Sequence, residues 1–143
     1  MTKHDPYPIP DGFEESLGRR GPFTLHNGPV YRRRVGDKLQ MGLRVLERHC
    51  NGMGFLHGGM AAAFADSALA TIAWETTDSA SVTMRLSIDY LNPVRLGDWL
   101  MAEAQVAGVD GDIVHVDGQL TRNERQIVCH AVGVFHLVRR KVN

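Results

Sequence analysis

The chain has 143 residues, 43% of them hydrophobic, and its 16 basic side chains balance its 16 acidic ones. This length predicts one domain with a sizeable core, and the neutral charge argues against a nucleic-acid or membrane-surface role. With two cysteines, no apolar run of transmembrane length and no signal-peptide core at the N-terminus, we expect a cytoplasmic protein.

The N-terminal part of the chain gives weaker structural signals than the rest. Residues 1–35 are predicted to form an arm: an extended start, a short helical turn over 13–17, an irregular segment over 21–28 and a first strand over 30–35. In the next segment Leu39, Met41, Leu43 and Val45 alternate with polar or small residues, which predicts a half-buried strand. Residues 36–143 are expected to form the functional domain of a single-domain chain.

The segment from Met60 to Trp74 is predicted to be a helix buried on all sides. Its residues are apolar or small around the whole circumference, apart from Asp66, Ser67 and Thr71. At about 22 Å it is too short to span a bilayer. An ionised carboxylate buried without partners costs several kcal/mol, so we expect Asp66 to have a partner or a chemical role.

The helix is preceded by His57-Gly58-Gly59, which contains none of the usual N-cap residues. Its first amide N–H groups are therefore predicted to have no side-chain acceptor, and the two glycines leave room for a ligand to approach them. Free amides at the positive end of a helix dipole suit an anion or a polarised carbonyl oxygen. A tight glycine turn is the alternative explanation, but Asp66 behind it favours a functional one.

Four strands are predicted after the helix. In the first, Val82, Met84, Leu86, Ile88 and Tyr90 line one face, and Thr83, Arg85, Ser87 and Asp89 line the other. Strands around 100–106 and 114–120 flank a hairpin turn over 109–112, and the last strand runs from about Gln126 to Val138. One buried helix and a set of antiparallel strands predict an α+β fold, in which the sheet wraps around one long central helix.

Several of these residues together match a known pattern: Asn51, His57-Gly58-Gly59, Asp66, Val82-Thr83 and Tyr90-Leu91-Asn92-Pro93. This pattern resembles the hotdog-fold acyl-CoA thioesterases of the phenylacetate-pathway and thioesterase-superfamily-member-2 type. The resemblance covers roughly residues 36–138. It implies a hotdog fold, hydrolysis of an acyl-CoA thioester and no cofactor.

The resemblance also implies roles for individual residues. The amide of Gly58 polarises the thioester carbonyl, and Asp66 acts as a base for water or as a nucleophile. Asn51 and His57 lie near the thioester, and Thr83 helps to hold the water. These roles fit the chemistry, because thioester hydrolysis needs donors aimed at an oxyanion and a carboxylate close to water.

Without the resemblance, simpler readings of these residues remain open. Asn51 would be an ordinary turn residue, and His57 a satisfied loop histidine. Because no other His or Cys lies at ligand spacing from His57, no metal site is predicted. Gly59 is a candidate for substrate contact. Arg95 is a weaker candidate for binding a phosphate of coenzyme A.

The spacing of Gly58 and Asp66 predicts self-association. Eight residues of helix separate them by about 12 Å, so the two groups can act on one thioester only if they come from different chains. An antiparallel pairing of two such helices across a two-fold axis would form a homodimer, with a dimer of dimers as a larger assembly.

Two alternatives to a thioesterase fit the sequence less well. A hotdog acyl-CoA hydratase needs a different Asp and His motif, which the sequence lacks. A non-catalytic acyl-CoA-binding hotdog module that senses fatty acids needs a DNA-binding domain, and residues 1–35 are too short for one. The acyl group itself is left open: aryl-acetyl, benzoyl-like and fatty chains all fit the pattern.

Overall fold

A computed structural model describes residues 7–18 and 20–139. The helices and strands of this part are β1 (Glu14–Glu15), α1 (Pro22–Asn27), β2 (Val30–Val35), β3 (Lys38–Arg44), α2 (Gly58–Thr77), β4 (Ser81–Tyr90), β5 (Trp99–Asp110), β6 (Ile113–Arg122) and β7 (Gln126–Leu137). A short 3₁₀ helix, Glu47–His49, lies in the loop before α2. The strands form one antiparallel sheet in the order β1-β2-β3-β5-β6-β7-β4.

The main core lies between α2 and one face of the sheet. Phe64 and Leu69 of α2 pack there with alternate residues of the strands, such as Val114, Val116 and Leu120 of β6, and all five are at most 2% exposed. Burying side chains of this size stabilises the fold by about 1.5–3 kcal/mol each. The sheet with its one long helix confirms the predicted α+β architecture.

One stripe of α2 is not buried, which corrects the prediction of a helix covered on all sides. Gly59 is exposed and Ala62, Asp66 and Ala70 are half-buried, while Trp74 at the far end is 51% exposed. These residues recur at helical spacing and therefore share one face. Alanine occurs both on this open stripe and on the buried face of the helix, so the sequence pattern did not distinguish the two faces.

The predicted helical turn over 13–17 is wrong, because this segment is extended. Glu14 and Glu15 pair with β2 at the edge of the sheet. Phe13 fixes the segment by packing edge-on against Trp99, with ring centroids 4.9 Å apart, on the sheet face opposite α2. This contact, between residues far apart in sequence, overrides the local preference.

The segment predicted to be irregular, 21–28, instead contains α1. Pro22 occupies its first turn, where a missing N–H costs nothing. The side chain of Asn27 donates to the carbonyl of Phe23 at 2.9 Å, which helps to close the helix. The helix has only six residues and no buried ones, so it gives no hydrophobic periodicity for a sequence reading to detect.

Strand β4 changes phase near its start, which corrects the predicted division of its faces. The pairing with β7 shifts register between Thr83 and Arg85, as at a β-bulge. Beyond the shift Leu86 and Ile88 pack against the core. Before it Val82 and Met84 are 56% and 59% exposed. Thr83 therefore faces α2, although strict alternation from Leu86 would turn it away.

Among the described residues, no helix has both the length and the apolar character needed to cross a membrane.

Candidate active site

The loop before α2 folds back on itself as a narrow hairpin. The His57 N–H donates to the His49 carbonyl at 2.9 Å, and the Asn51 N–H donates to the Phe55 carbonyl at 2.8 Å. The Asn51 side chain braces the tip, where its Oδ1 accepts from the N–H groups of Met53 at 3.0 Å and Phe55 at 3.2 Å. Asn51 thus acts as a turn residue, and its amide nitrogen takes no part in this brace.

His57 caps the start of α2, so the prediction that the first amides lack a side-chain acceptor is wrong for one of them. The Gly59 N–H donates to Nδ1 of His57 at 2.8 Å. Because Nδ1 accepts, we assign the proton of the neutral ring to Nε2, which is left as a donor. A Cβ at Gly59 would lie 3.0 Å from Nδ1, so any other residue there would press the imidazole away by a few tenths of an ångström.

The amide of Gly58 differs from that of its neighbour. No hydrogen bond formed within residues 7–18 and 20–139 uses the Gly58 N–H, and the residue is exposed. A Cβ at Gly58 would make only ordinary contact, 3.5 Å from the Tyr90 hydroxyl. The fold therefore does not need a glycine here for space.

Tyr90, at the end of β4, holds the first peptide of α2 from the other side. Its hydroxyl donates to the carbonyl of Gly58 at 2.6 Å. Burial raises the pKa of this phenol above its ordinary value of 10.0, with Cys129 adding to the shift. The hydroxyl is therefore a neutral donor at physiological pH. It holds the Gly58–Gly59 peptide, whose N–H is the one that His57 caps and which adjoins the peptide carrying the Gly58 N–H.

Asp66 and Thr83 form a second polar group, in the middle of α2. The Thr83 hydroxyl donates to Oδ1 of Asp66 at 2.6 Å. Asp66 is half-buried on the open stripe of the helix, and Thr83 is exposed at the edge of the sheet. The structure brings Asp66 and Thr83 together, but within one chain they stay about 12 Å along the helix from Gly58.

An apolar cleft of about 320 Å³ opens beside the start of α2, near the lower limit for small-molecule sites. It is lined by Phe55, Leu56, Ala61, Tyr90, Leu91, Asn92, Pro93, Val94 and Cys129. Burial raises the pKa of Cys129 to about 11, so this thiol stays protonated and is a poor nucleophile. Arg95 lies at the rim, with its guanidinium 5.3 Å from the centre of the Phe55 ring.

Two residues near the site were given no role by the sequence analysis. Tyr90 belonged to the recognised pattern, but nothing in the sequence linked its hydroxyl to Gly58. His49 is 1% exposed and bonds to the carbonyl of Asn27, 22 positions away. Contacts over such separations leave no local sequence signal.

In the part of the chain that the structure describes, no group of three or more His, Cys, Asp or Glu side chains is placed to hold a metal ion.

Comparison with known proteins identifies the family. The model of the Thioesterase superfamily matches residues 53–129, which include Gly58, Asp66, Thr83 and Tyr90. The chain belongs to the thioesterase superfamily. It is 33% identical over 132 residues to the Pseudomonas aeruginosa protein named "Putative esterase PA0474", covering 90% of this chain and 97% of that protein.

Two further similarities are consistent with this family. Over 72 residues the chain is 32% identical to mouse acyl-coenzyme A thioesterase 13, covering 49% of this chain and 51% of that one. The PaaI protein from the phenylacetic acid degradation operon of E. coli has a similar structure, with a TM-score of 0.67, 25% identity and coverage of 74% and 76% of the two chains. These findings confirm the hotdog fold and thioester hydrolysis that the sequence pattern implied.

Proposed function

We propose that this thioesterase hydrolyses acyl-CoA, releasing a free acid and coenzyme A. The observation that carries the proposal is the exposed Gly58 N–H, left without an acceptor at the N-terminus of a 20-residue helix. In this reaction water adds to the carbonyl carbon, the carbon–sulfur bond breaks, and the thiol leaves with a proton. The named thioesterase relative supports acyl-CoA as the substrate class.

Gly58 polarises the carbonyl in this proposal. Its N–H points out of the helix, where the dipole adds a partial positive charge that favours a developing oxyanion. The Nε2–H of His57, freed for donation because Nδ1 caps Gly59, is a second donor at the start of the helix. Tyr90 holds the adjoining Gly58–Gly59 peptide through its 2.6 Å bond to the Gly58 carbonyl.

Asp66 supplies the base or the nucleophile. A carboxylate that accepts one hydrogen bond at Oδ1 retains a second oxygen for a water molecule or for direct attack. Thr83 donates that bond at 2.6 Å and orients the carboxylate. This assignment needs no metal and no cysteine, and it distinguishes an enzyme from a module that only binds acyl-CoA.

The complete site requires a second copy of the chain. Strand β4 is the outer strand of the sheet. Its Thr83 contacts Asp66 on the open stripe of α2, and its Val82 and Met84 are exposed. Unpaired backbone and apolar side chains on an edge strand favour pairing with another strand. We therefore infer a homodimer in which two α2 helices lie antiparallel, and the Asp66 of each chain reaches the Gly58 of the other.

The remaining predicted residues surround this centre. Asn51 shapes the loop through Oδ1 and has its amide nitrogen left for the substrate. Gly59 gives the thioester room, and Arg95 is placed to bind a phosphate of coenzyme A. Residues 1–35 and 36–143 act as one domain in this proposal, since β2 pairs with β3 along six residues.

A panel of acyl-CoA substrates tests the activity. Aryl-acetyl, benzoyl and fatty acyl-CoA esters are incubated with the protein, and release of free thiol is followed. We expect hydrolysis of at least one class, with kcat in the usual range of about 1–10³ s⁻¹. Turnover of an enoyl-CoA by addition of water, without thiol release, would support a hydratase instead. Saturable binding with no turnover of any ester would support a binding module.

Mixed dimers test whether the site spans two chains. Gly58→Ala and Asp66→Asn are each expected to be nearly inactive, because each dimer of either variant carries a lesion in both sites. After co-refolding, about half of the dimers are mixed, and one site in each mixed dimer has neither lesion. Recovery of about a quarter of wild-type activity supports the two-chain site. An inactive mixture shown to contain mixed dimers would place the site within one chain.

A further inference from the structure

His49 is a buried histidine that uses both of its ring nitrogens. It is 1% exposed, Nδ1 accepts from the Leu46 N–H at 3.0 Å, and Nε2 lies 2.6 Å from the carbonyl oxygen of Asn27. Since a backbone carbonyl can only accept, Nε2 carries the proton and the ring is neutral. One side chain therefore closes the 3₁₀ turn at Glu47–His49 and also ties it to the end of α1.

The backbone of His49 continues this connection to the start of α2. Its carbonyl accepts the His57 N–H at 2.9 Å, which forms the base of the hairpin loop. His57 in turn accepts the Gly59 N–H at 2.8 Å. A continuous series of hydrogen bonds thus runs from Asn27 through His49 and His57 to the first turn of α2, next to the Gly58 amide.

We propose that His49 is a positioning residue of the thioesterase site, acting through the loop on the direction of the Gly58 N–H. The proposal rests on the function proposed above for that amide. Without the imidazole, the partly buried Leu46 N–H and Asn27 carbonyl both lose their partner. The unmade bonds favour a shift of the loop that brings these groups to other partners. Glu or Gln in a capping box bonds only the first of these groups, whereas imidazole bonds both.

Three substitutions of His49 separate its two bonds. His49→Leu removes both bonds. His49→Asn keeps an acceptor near the place of Nδ1, and His49→Gln keeps a donor near the place of Nε2. Val116→Ala is the matched control, because Val116 is fully buried in β6 and its truncation lowers stability without touching the loop. For each variant, kcat and KM are measured together with hydrogen exchange at the His57 and Gly59 amides.

We expect His49→Leu to lower kcat by about tenfold, the effect of one misplaced transition-state hydrogen bond, with KM changed less than about twofold. The Asn and Gln variants should lie between His49→Leu and the wild type. Exchange at the two amides should be faster in His49→Leu than in Val116→Ala. A kcat no lower than that of Val116→Ala, after correction for the folded fraction, would overturn the proposal, as would a loss confined to KM.

If His49→Leu does not fold, the Asn and Gln variants are judged by the same criteria. Absence of any acyl-CoA hydrolysis by the wild type would refute the function proposed above rather than the role of His49. In that event the exchange rates decide: faster exchange at His57 and Gly59 than in Val116→Ala supports positioning, and equal exchange overturns it.

Discussion

The two ends of the proposed site are built differently. At the amide end, hydrogen bonds within one chain fix the hairpin loop, the His57 cap and the Gly58 carbonyl, and they leave the Gly58 N–H without an acceptor. At the carboxylate end, Asp66 and Thr83 bond to each other but lie on an open helix stripe beside an exposed strand edge. The amide end is therefore shaped by the monomer's own fold, whereas the carboxylate end depends on what covers that edge.

Asp66→Asn tests the carboxylate end and should have the largest effect. Loss of a general base or nucleophile lowers kcat by about 10²–10⁴, and the amide can still accept the hydroxyl proton of Thr83. Stability should be unchanged or slightly higher, because a half-buried charge is removed. Steady-state kinetics and thermal unfolding measure the two effects. Asp89→Asn, at an exposed carboxylate of β4, is the control, and equal rates for both variants would refute the role of Asp66.

Substitutions of the two glycines test the amide end. In Gly58→Ala the new methyl only contacts the Tyr90 hydroxyl at 3.5 Å, so the fold is kept while the methyl crowds the free amide. We expect kcat to fall by about 10²–10³, as when one oxyanion donor is lost. In Gly59→Ala the methyl lies 3.0 Å from Nδ1 of His57 and displaces the cap, which should cost about 1 kcal/mol in urea unfolding. A stable but fully active Gly58→Ala would contradict the proposed role of its amide.

Thr83→Ala should have a smaller effect at the carboxylate end. Loss of the single 2.6 Å bond to Asp66 is expected to lower kcat by about tenfold. Thr83→Ser keeps the hydroxyl and should retain most of the activity. Comparison of kcat for the two variants separates the hydroxyl from the methyl group, and similar losses in both would point to packing instead.

Lowering the pH should reduce the free energy of unfolding through the protonation of His49. Burial lowers the pKa of His49 below its ordinary value of 6.5, and the nearby Arg48 adds to this effect. The unfolded chain then binds the proton more tightly, so the stability present above pH 6.5 is lost as pH falls towards the folded-state pKa. The loss is at most about 1.4 kcal/mol per unit of pKa difference. Urea unfolding at pH 7.5 and about pH 5 should show a steeper decline for the wild type than for His49→Gln.

The sequence predicted the parts of the molecule that depend on periodicity and on short patterns. The succession of the main strands along the chain follows from alternation, and the long helix follows from its run of apolar and small residues. The recognised motif pointed to Asp66 and Thr83 as residues of one site. The prediction failed where distant residues decide the structure. Phe13 is held extended by Trp99, and His49 is anchored by Asn27.

The prediction that α2 has no side-chain cap failed for a different reason. His57 is outside the usual N-cap set of Ser, Thr, Asp and Asn, yet its ring nitrogen accepts from Gly59 as a carboxylate oxygen would. Its success depends on the absence of a Cβ at Gly59. The motif therefore combines two requirements that single-residue propensities treat separately.

The bulge in β4 determines which side chains of this strand reach α2. Thr83 and Tyr90 are seven positions apart, and side chains at odd spacing in a regular strand point to opposite faces. Both nevertheless reach α2, because the extra residue near Met84 resets the alternation between them. Deleting Met84 should give a regular strand that keeps both contacts, because Thr83 and Tyr90 are then an even number of positions apart. The number of residues between Thr83 and Tyr90 is therefore part of what brings both side chains to α2.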